Sequence, residues 1–355
     1  MEVVLELPGR RNRQEGLRHF ADGMKEIREQ IGFKLSPRGW AYQLEGFRVV
    51  TKAQFDLVEN LVNECRAKGF LPVDFVAEEE ARKFSGVEIP ESVSPVEYMK
   101  RYLEATLECE NWYTPDWWNG EKYYVQIVVE KIDLKTLFEP VCREYHIPIA
   151  TSKGWSSITQ RAEYARRFKE AEERGLIGVL GYCGDHDPPG LRISDFLRKN
   201  LEDLKDIVWE DGTEGYDPSN LIVDRFGLNY DDIVRLGLTW IDNLITGSGK
   251  DLADPSHPDY HLPYVQEYLQ KYGPRKCEAN AIVVRPKEAQ EFVRNWIKNG
   301  SDLWPGLGSD ALARFEAKRE NVRRELRSFR RHTGLDRALR RALKIIESGV
   351  RSSGA

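Results

Sequence analysis

The sequence has no long apolar run. Its longest apolar stretches, such as YYVQIVVE, fall far short of the ~18 residues a membrane span requires, so no transmembrane segment is expected. The opening residues, MEVVLELPGRRNRQEG, carry acids and arginines where a secretory signal would place an apolar core of about 7–15 residues, so a cytoplasmic location is expected. Cysteine is sparse and scattered. Cys65, Cys109, Cys142, Cys183 and Cys277 form no C-x-x-C pair, which implies neither a zinc ribbon nor a disulfide framework and leaves them as small buried hydrophobes. There is no internal repeat, no low-complexity tract and no obvious nucleotide-binding motif. A net charge of −5 argues against coating nucleic acid by bulk attraction, although the distribution of charge matters more than the total.

What is present fits a globular chain. Its 355 residues, 41% hydrophobic and 31% charged, can bury a sizeable core and suggest two or three domains at roughly 100–200 residues each. Residues 1–84 read as a helical domain of winged-helix or helix-turn-helix type. Leu17, Phe20, Met24 and Ile27 recur at helical spacing, Ser36-Pro37 caps a short second helix, and Thr51 to Gln54 forms a capping box ahead of a third. Residues 85–119 read as a connector around one amphipathic stretch, closing in Trp112, Tyr113, Trp117 and Trp118. Those aromatics suit a core or interface better than base stacking.

From Tyr123 strand and helix patterns alternate, which predicts an α/β fold with a Rossmann-like parallel sheet and helices on both faces, over residues 120–305. Its later part is less regular: RFGLNYDDIVRLGLTWIDNLI suggests a strand and a helix, and KCEANAIVV another strand. Residues 306–355 form a basic helical tail. Between 310 and 347 twelve Lys or Arg face six Asp or Glu, giving +6 against −11 for the remainder. Phe315, Val322, Leu326 and Phe329 offer it an apolar stripe for packing, but so basic a segment on an acidic chain also suits an anionic partner.

In a parallel α/β sheet, ligands gather at the carboxyl ends of the strands. Glu130 ends the first predicted strand, and Asp185 and Asp187 follow the third in GYCGDHDPPG. Three carboxylates converging there would repel one another unless a cation neutralised them, and hard oxygen ligands suit magnesium. The competing reading is that Asp185 and Asp187 cap the turn and helix that follow. Lys131 and Lys153 lie near strand ends and could meet phosphate or simply be solvated. His257 and His261 have the H-x-x-x-H spacing of zinc sites, but Pro258 and Pro263 break the helix that would align them, so they are read as loop residues.

A strand ending Val-Glu-Lys, a second ending Ser-Lys-Gly-Trp and a third ending Gly-Asp-His-Asp-Pro-Pro-Gly, in that order, resemble the Toprim domain of the topoisomerase VI A subunit and of its meiotic double-strand-break relative. The resemblance implies that Glu130, Asp185 and Asp187 bind Mg2+, with His186 in a variable position and without a role. The Asp-x-Asp of haloacid-dehalogenase phosphatases lies on the first strand, whereas here it follows the third. In the resembling family a winged-helix domain precedes the Toprim and carries Arg-x-x-x-Tyr, whose tyrosine attacks DNA. The matching residues are Arg38-Gly39-Trp40-Ala41-Tyr42, which depart from the common Arg-Asp-Ile-Tyr-Tyr at Gly39 and Ala41. Spacing of four puts Arg38 and Tyr42 one helical turn apart, so the guanidinium could hold a phosphate beside the phenol, although a tyrosine packed under a helix is the default.

The layout is also similar to phage- and plasmid-type Toprim proteins, through Arg38 to Leu44 and Gly69-Phe-Leu-Pro-Val-Asp74. The likeness covers residues 30–200 and returns faintly at Leu238-Thr239 and Lys276 to Ala281. It implies a DNA strand-breaking enzyme, with Tyr42 and Arg38 catalytic beside Glu130, acting on DNA as a homodimer and with any ATPase subunit supplied as a separate polypeptide. Two rivals stand beside it: a hydrolytic Toprim nuclease in which Tyr42 is structural, and a non-catalytic DNA-binding replication or plasmid-maintenance factor.

Overall fold

The computed structural model describes residues 5–9, 12–72, 74–77, 92–152, 158–209, 211–245 and 249–352. Helices α1 (Arg13–Ile31), α2 (Pro37–Gly46) and α3 (Phe55–Ala67) open the chain. Leu17, Phe20, Met24 and Ile27 are buried along α1, as their spacing predicts. The Ser36 hydroxyl accepts from Gly39 N at 3.1 Å with Pro37 in the first turn, and Thr51 and Gln54 make the expected capping box. Then come α4 (Pro95–Leu107), β1 (Tyr123–Val129), α5 (Ile132–Glu144), β2 (Ile149–Thr151), α6 (Ile158–Glu173), β3 (Ile177–Cys183), α7 (Pro188–Leu191) and α8 (Ile193–Glu202). β4 (Ile222–Gly227), α9 (Tyr230–Leu236), α10 (Pro263–Tyr272), α11 (Pro286–Asn299), α12 (Ala311–His332) and α13 (Leu335–Ser352) complete it.

The fold is α/β, with a four-stranded, all-parallel sheet in the order β2-β1-β3-β4. β1 and β3 pair from Tyr123↔Ile177 to Val129↔Cys183 and are buried along almost their whole length, the pattern of a strand covered on both faces. Gly178 lies against Phe168 of α6 and Gly181 against Trp296 of α11. Three residues apart on one strand, these glycines face opposite sides, so helices cover both faces of the sheet.

The chain divides into two compact units, Met1–Ala81 with Gly120–Gly308, and Arg82–Asn119 with Ser309–Ala355. In the first, the opening helices and the sheet share one body. Asp133, in the first turn of α5 and fully buried, accepts from both the backbone N–H and the hydroxyl of Ser36. Gly39 makes that approach possible, because a Cβ there would lie 2.7 Å from the Asp133 carboxylate.

Three expectations are corrected. KCEANAIVV is not a strand: Cys277 makes one antiparallel bridge with His186, and Ala279–Val284 is a 3-10 turn. Its apolar residues are buried at successive positions rather than alternate ones, so the run reads as buried without specifying its backbone. In the second unit Phe315 is buried, against Trp117 and Trp118 with ring centroids 5.9 and 6.1 Å apart, but Phe329 is 61% exposed. The buried neighbour is Arg330, paired with Glu110 at 3.0 Å and Asp336 at 3.2 Å, because the buried Glu110 carboxylate needs a cation. Trp112 and Tyr113 are exposed, so the aromatic cluster is only half in the core. Among the described residues no helix is long and apolar enough to cross a membrane.

Candidate functional site

Glu130 and Asp185 emerge side by side where β1 and β3 end. Glu130 N donates to Cys183 O at 3.0 Å, continuing the ladder by one residue, and Asp185 N donates to Glu130 Oε2 at 2.7 Å. Gly184 lets them close, since a Cβ there would meet Tyr182 Oη at 2.5 Å and Glu130 Oε2 at 2.7 Å. The Lys131 ammonium lies between the two carboxylates, 2.9 Å from Glu130 Oε1 and 3.1 Å from Asp185 Oδ2.

Burial and the Glu130 charge push the Asp185 carboxyl up to about 7, against the opposing pull of Lys131 and the Ala279 amide. Despite its own burial, Glu130 is held below the usual range, chiefly by Lys131. Against burial, the Asp185 and Glu130 carboxylates hold the Lys131 ammonium above the usual lysine range.

Asp187 is arranged differently. Its Oδ1 accepts from Gly190 N at 2.6 Å, capping α7, although its charge is still felt by Asp185. The capping alternative therefore describes Asp187 but not Asp185, whose Oδ1 accepts from Ala279 N, 2.7 Å away and 94 residues on. No group of three or more His, Cys, Asp or Glu side chains among the described residues is arranged to hold a metal ion. The donor chemistry nevertheless fits magnesium. Two hard carboxylate oxygens already share one cation, the Lys131 ammonium, and a magnesium ion with its waters could replace it.

Tyr42 and Arg38 approach from α2. Tyr42 is 1% exposed, and its hydroxyl donates to Glu278 Oε2. Burial first, then the Glu278 carboxylate, hold the phenol well above the usual tyrosine range, so it is neutral at rest. Arg38 extends over the Phe55 ring, 5.0 Å from its centroid, and pairs with Glu59 at 3.2 Å and Asp56 at 3.6 Å, while its charge acts on Glu278 and Tyr42. Lys52 lies 5.5 Å from the Tyr42 ring centroid, with burial lowering its pKa.

Glu278 and Ala279 are consecutive: one holds Tyr42 by its side chain, the other Asp185 by its backbone. This link joins the two halves of the candidate site, and sequence reading missed it because Glu278 lay in a segment taken for a strand. Its only signal was the faint family echo at Lys276 to Ala281. Arg225 was missed as well. Its guanidinium donates to the carbonyls of Asp185 at 3.0 Å, Gly190 at 2.9 Å and Leu228 at 2.8 Å, fastening the loop that carries both aspartates to the end of β4.

His186 turns away from the acids. Its Nδ1 lies 2.9 Å from Tyr268 Oη, its ring packs among Trp240 and Tyr272, and burial lowers its pKa to about 4, leaving it neutral. His257 stays in a loop, accepting from Asp259 N at 3.0 Å. Lys153 lies outside the described residues. Compared with protein-family models and with curated proteins, the chain gives no match.

Proposed function

We propose that this chain is a magnesium-dependent DNA strand-breaking enzyme of the topoisomerase VI A type, its α/β region a Toprim domain. The observation that carries the reading is the convergence of Tyr42 with Asp185 and Glu130 through the adjacent residues Glu278 and Ala279. A tyrosine nucleophile needs a base within hydrogen-bond reach of its proton, and Glu278 meets that requirement.

In the proposed step the Tyr42 proton passes to Glu278 as the phenol oxygen attacks a backbone phosphorus. A Tyr42–phosphorus bond forms, the phosphorus–O3′ bond breaks, and the departing O3′ takes a proton from solvent. Arg38 supplies positive charge beside the reacting phosphate. Glu130 and Asp185, with Asp187 within electrostatic reach, would hold magnesium, which supplies charge neutralisation at the phosphate and the leaving oxygen. The phosphotyrosyl bond preserves the energy of the broken link, so the reverse attack by the 3′ hydroxyl restores the strand.

A second reading is favoured by one observation: Tyr42 is 1% exposed, which suits a structural phenol and hydrolysis by water at the acidic cluster. Incubation with supercoiled plasmid and magnesium separates the two. Nicked or linear DNA that runs free only after protease treatment supports the tyrosine route. Products independent of protease support hydrolysis, and the absence of any product contradicts both.

A further inference from the structure

A groove runs between α7 and α10, beginning at Pro188, the residue after Asp187, and encloses about 480 Å³. That is within the range of small-molecule sites, roughly 300–1,000 Å³. Three tyrosines line it, Tyr264, Tyr268 and Tyr272, with Arg192, Lys271 and Glu267 as its charged groups.

The aromatic floor is braced before any ligand arrives. Tyr268 donates to a carbonyl, with His186 O and Arg275 O both 2.9 Å from its hydroxyl, and its ring lies 4.9 Å from that of Tyr272. Tyr272 in turn meets His186 edge-on at 4.7 Å. The cations sit at the aromatic rings: the Arg192 guanidinium is 5.1 Å from the Tyr264 centroid, and the Lys271 ammonium 5.1 Å from that of Tyr272. Arg192 and Lys271 are both exposed.

Ring faces accept a flat base without regard to its identity, exposed cations accept a phosphate, and a carboxylate accepts from a base amino or ring N–H. All three occur here within one groove. We propose that it binds an unpaired nucleotide of a DNA strand, the base against Tyr264 and the phosphate at Arg192 and Lys271. The inference deepens the DNA-cleaving reading by giving the acidic cluster a neighbouring subsite for unstacked DNA, and its test does not depend on cleavage.

The test is binding of a short, fluorescently labelled oligothymidylate to the full chain without divalent ions, with folding followed by circular dichroism. Tyr264→Ala should weaken binding by about tenfold. The double variant Arg192→Gln, Lys271→Gln should flatten the dependence of log affinity on log salt by about 0.7, the share of one phosphate contact on a single strand. If the folded variants bind the oligonucleotide like the wild type, or the wild type does not bind it, the proposal is overturned. Plasmid cleavage measured in parallel keeps the two claims apart. Loss of oligonucleotide binding in Tyr264→Ala while the wild type cuts no plasmid upholds the groove and removes the enzyme reading; cutting with unaltered oligonucleotide binding does the reverse.

Discussion

Tyr42 and Glu278, 236 residues apart in sequence, share a hydrogen bond in which the phenol donates to the carboxylate. A carboxylate is too weak a base to ionise a phenol outright, since their ordinary pKa values differ by about 6, so the proton must move as the oxygen attacks. Glu278→Gln keeps a hydrogen-bonding group of the same size and removes the base. It should lower the rate of covalent adduct formation by about 10²-fold or more while changing the melting temperature little. Adduct formation at the wild-type rate contradicts the role given to Glu278.

At the acidic pair, sign matters. The folded protein holds a proton on Asp185, raised to about 7, that the unfolded chain releases nearer the ordinary aspartate range. This group therefore makes stability fall as pH rises through that window. Asp185→Asn cannot titrate. Between about pH 5 and about pH 8, without divalent ions, its stability should decline less than that of the wild type. Cleavage should be lost, since an amide is a poor magnesium ligand. Parallel stability curves would contradict the electrostatic account, and a fully active variant the metal site.

Gly39 tests the joint between α2 and α5. A methyl group there would lie 2.7 Å from a carboxylate held by two hydrogen bonds from Ser36, so neither side can yield cheaply. Gly39→Ala should destabilise the protein by about 1–3 kcal/mol in denaturant unfolding, despite the better helix propensity of alanine. A stabilised variant would show that Asp133 moves aside freely.

The elements carrying a local signal were legible in the sequence. β1 and β3 are largely apolar runs, interrupted in β1 only by the buried Gln126, α2 announces itself by Ser36-Pro37, and Glu130 and Asp185 stand at strand ends where the topology collects them. What escaped is held by distant partners. Arg225 read as one polar residue in a strand and Glu278 as part of a strand that is a 3-10 turn, while Asp133 drew no reading at all. Nothing within a few residues of any of them specifies the partner, which is supplied only when the chain folds. The tail shows the same limit, because a buried arginine and a solvated one look alike in sequence.

That distinction divides the tail's charges. Arg330 is buried between Glu110 and Asp336, so Arg330→Ala takes the cation from Asp336 and leaves the buried Glu110 with Arg327 alone, and should destabilise the second unit by about 1–3 kcal/mol. Arg337, Arg340, Arg341 and Lys344 are exposed and recur at helical spacing, forming one basic face of α13. Neutralising these four should leave the fold intact and flatten the salt dependence of duplex binding by about 3–4 units, at ~0.9 per phosphate contact. An unchanged slope would assign that face to solvent.

The central claim is that the Tyr42 oxygen becomes bonded to DNA. End-labelled duplex incubated with protein and magnesium, then resolved on a denaturing gel before and after protease digestion, tests it directly. The account predicts a protease-sensitive labelled adduct with the wild type and none with Tyr42→Phe, which should still fold and bind DNA. Normal cleavage by Tyr42→Phe, or an adduct that survives the substitution, would contradict it.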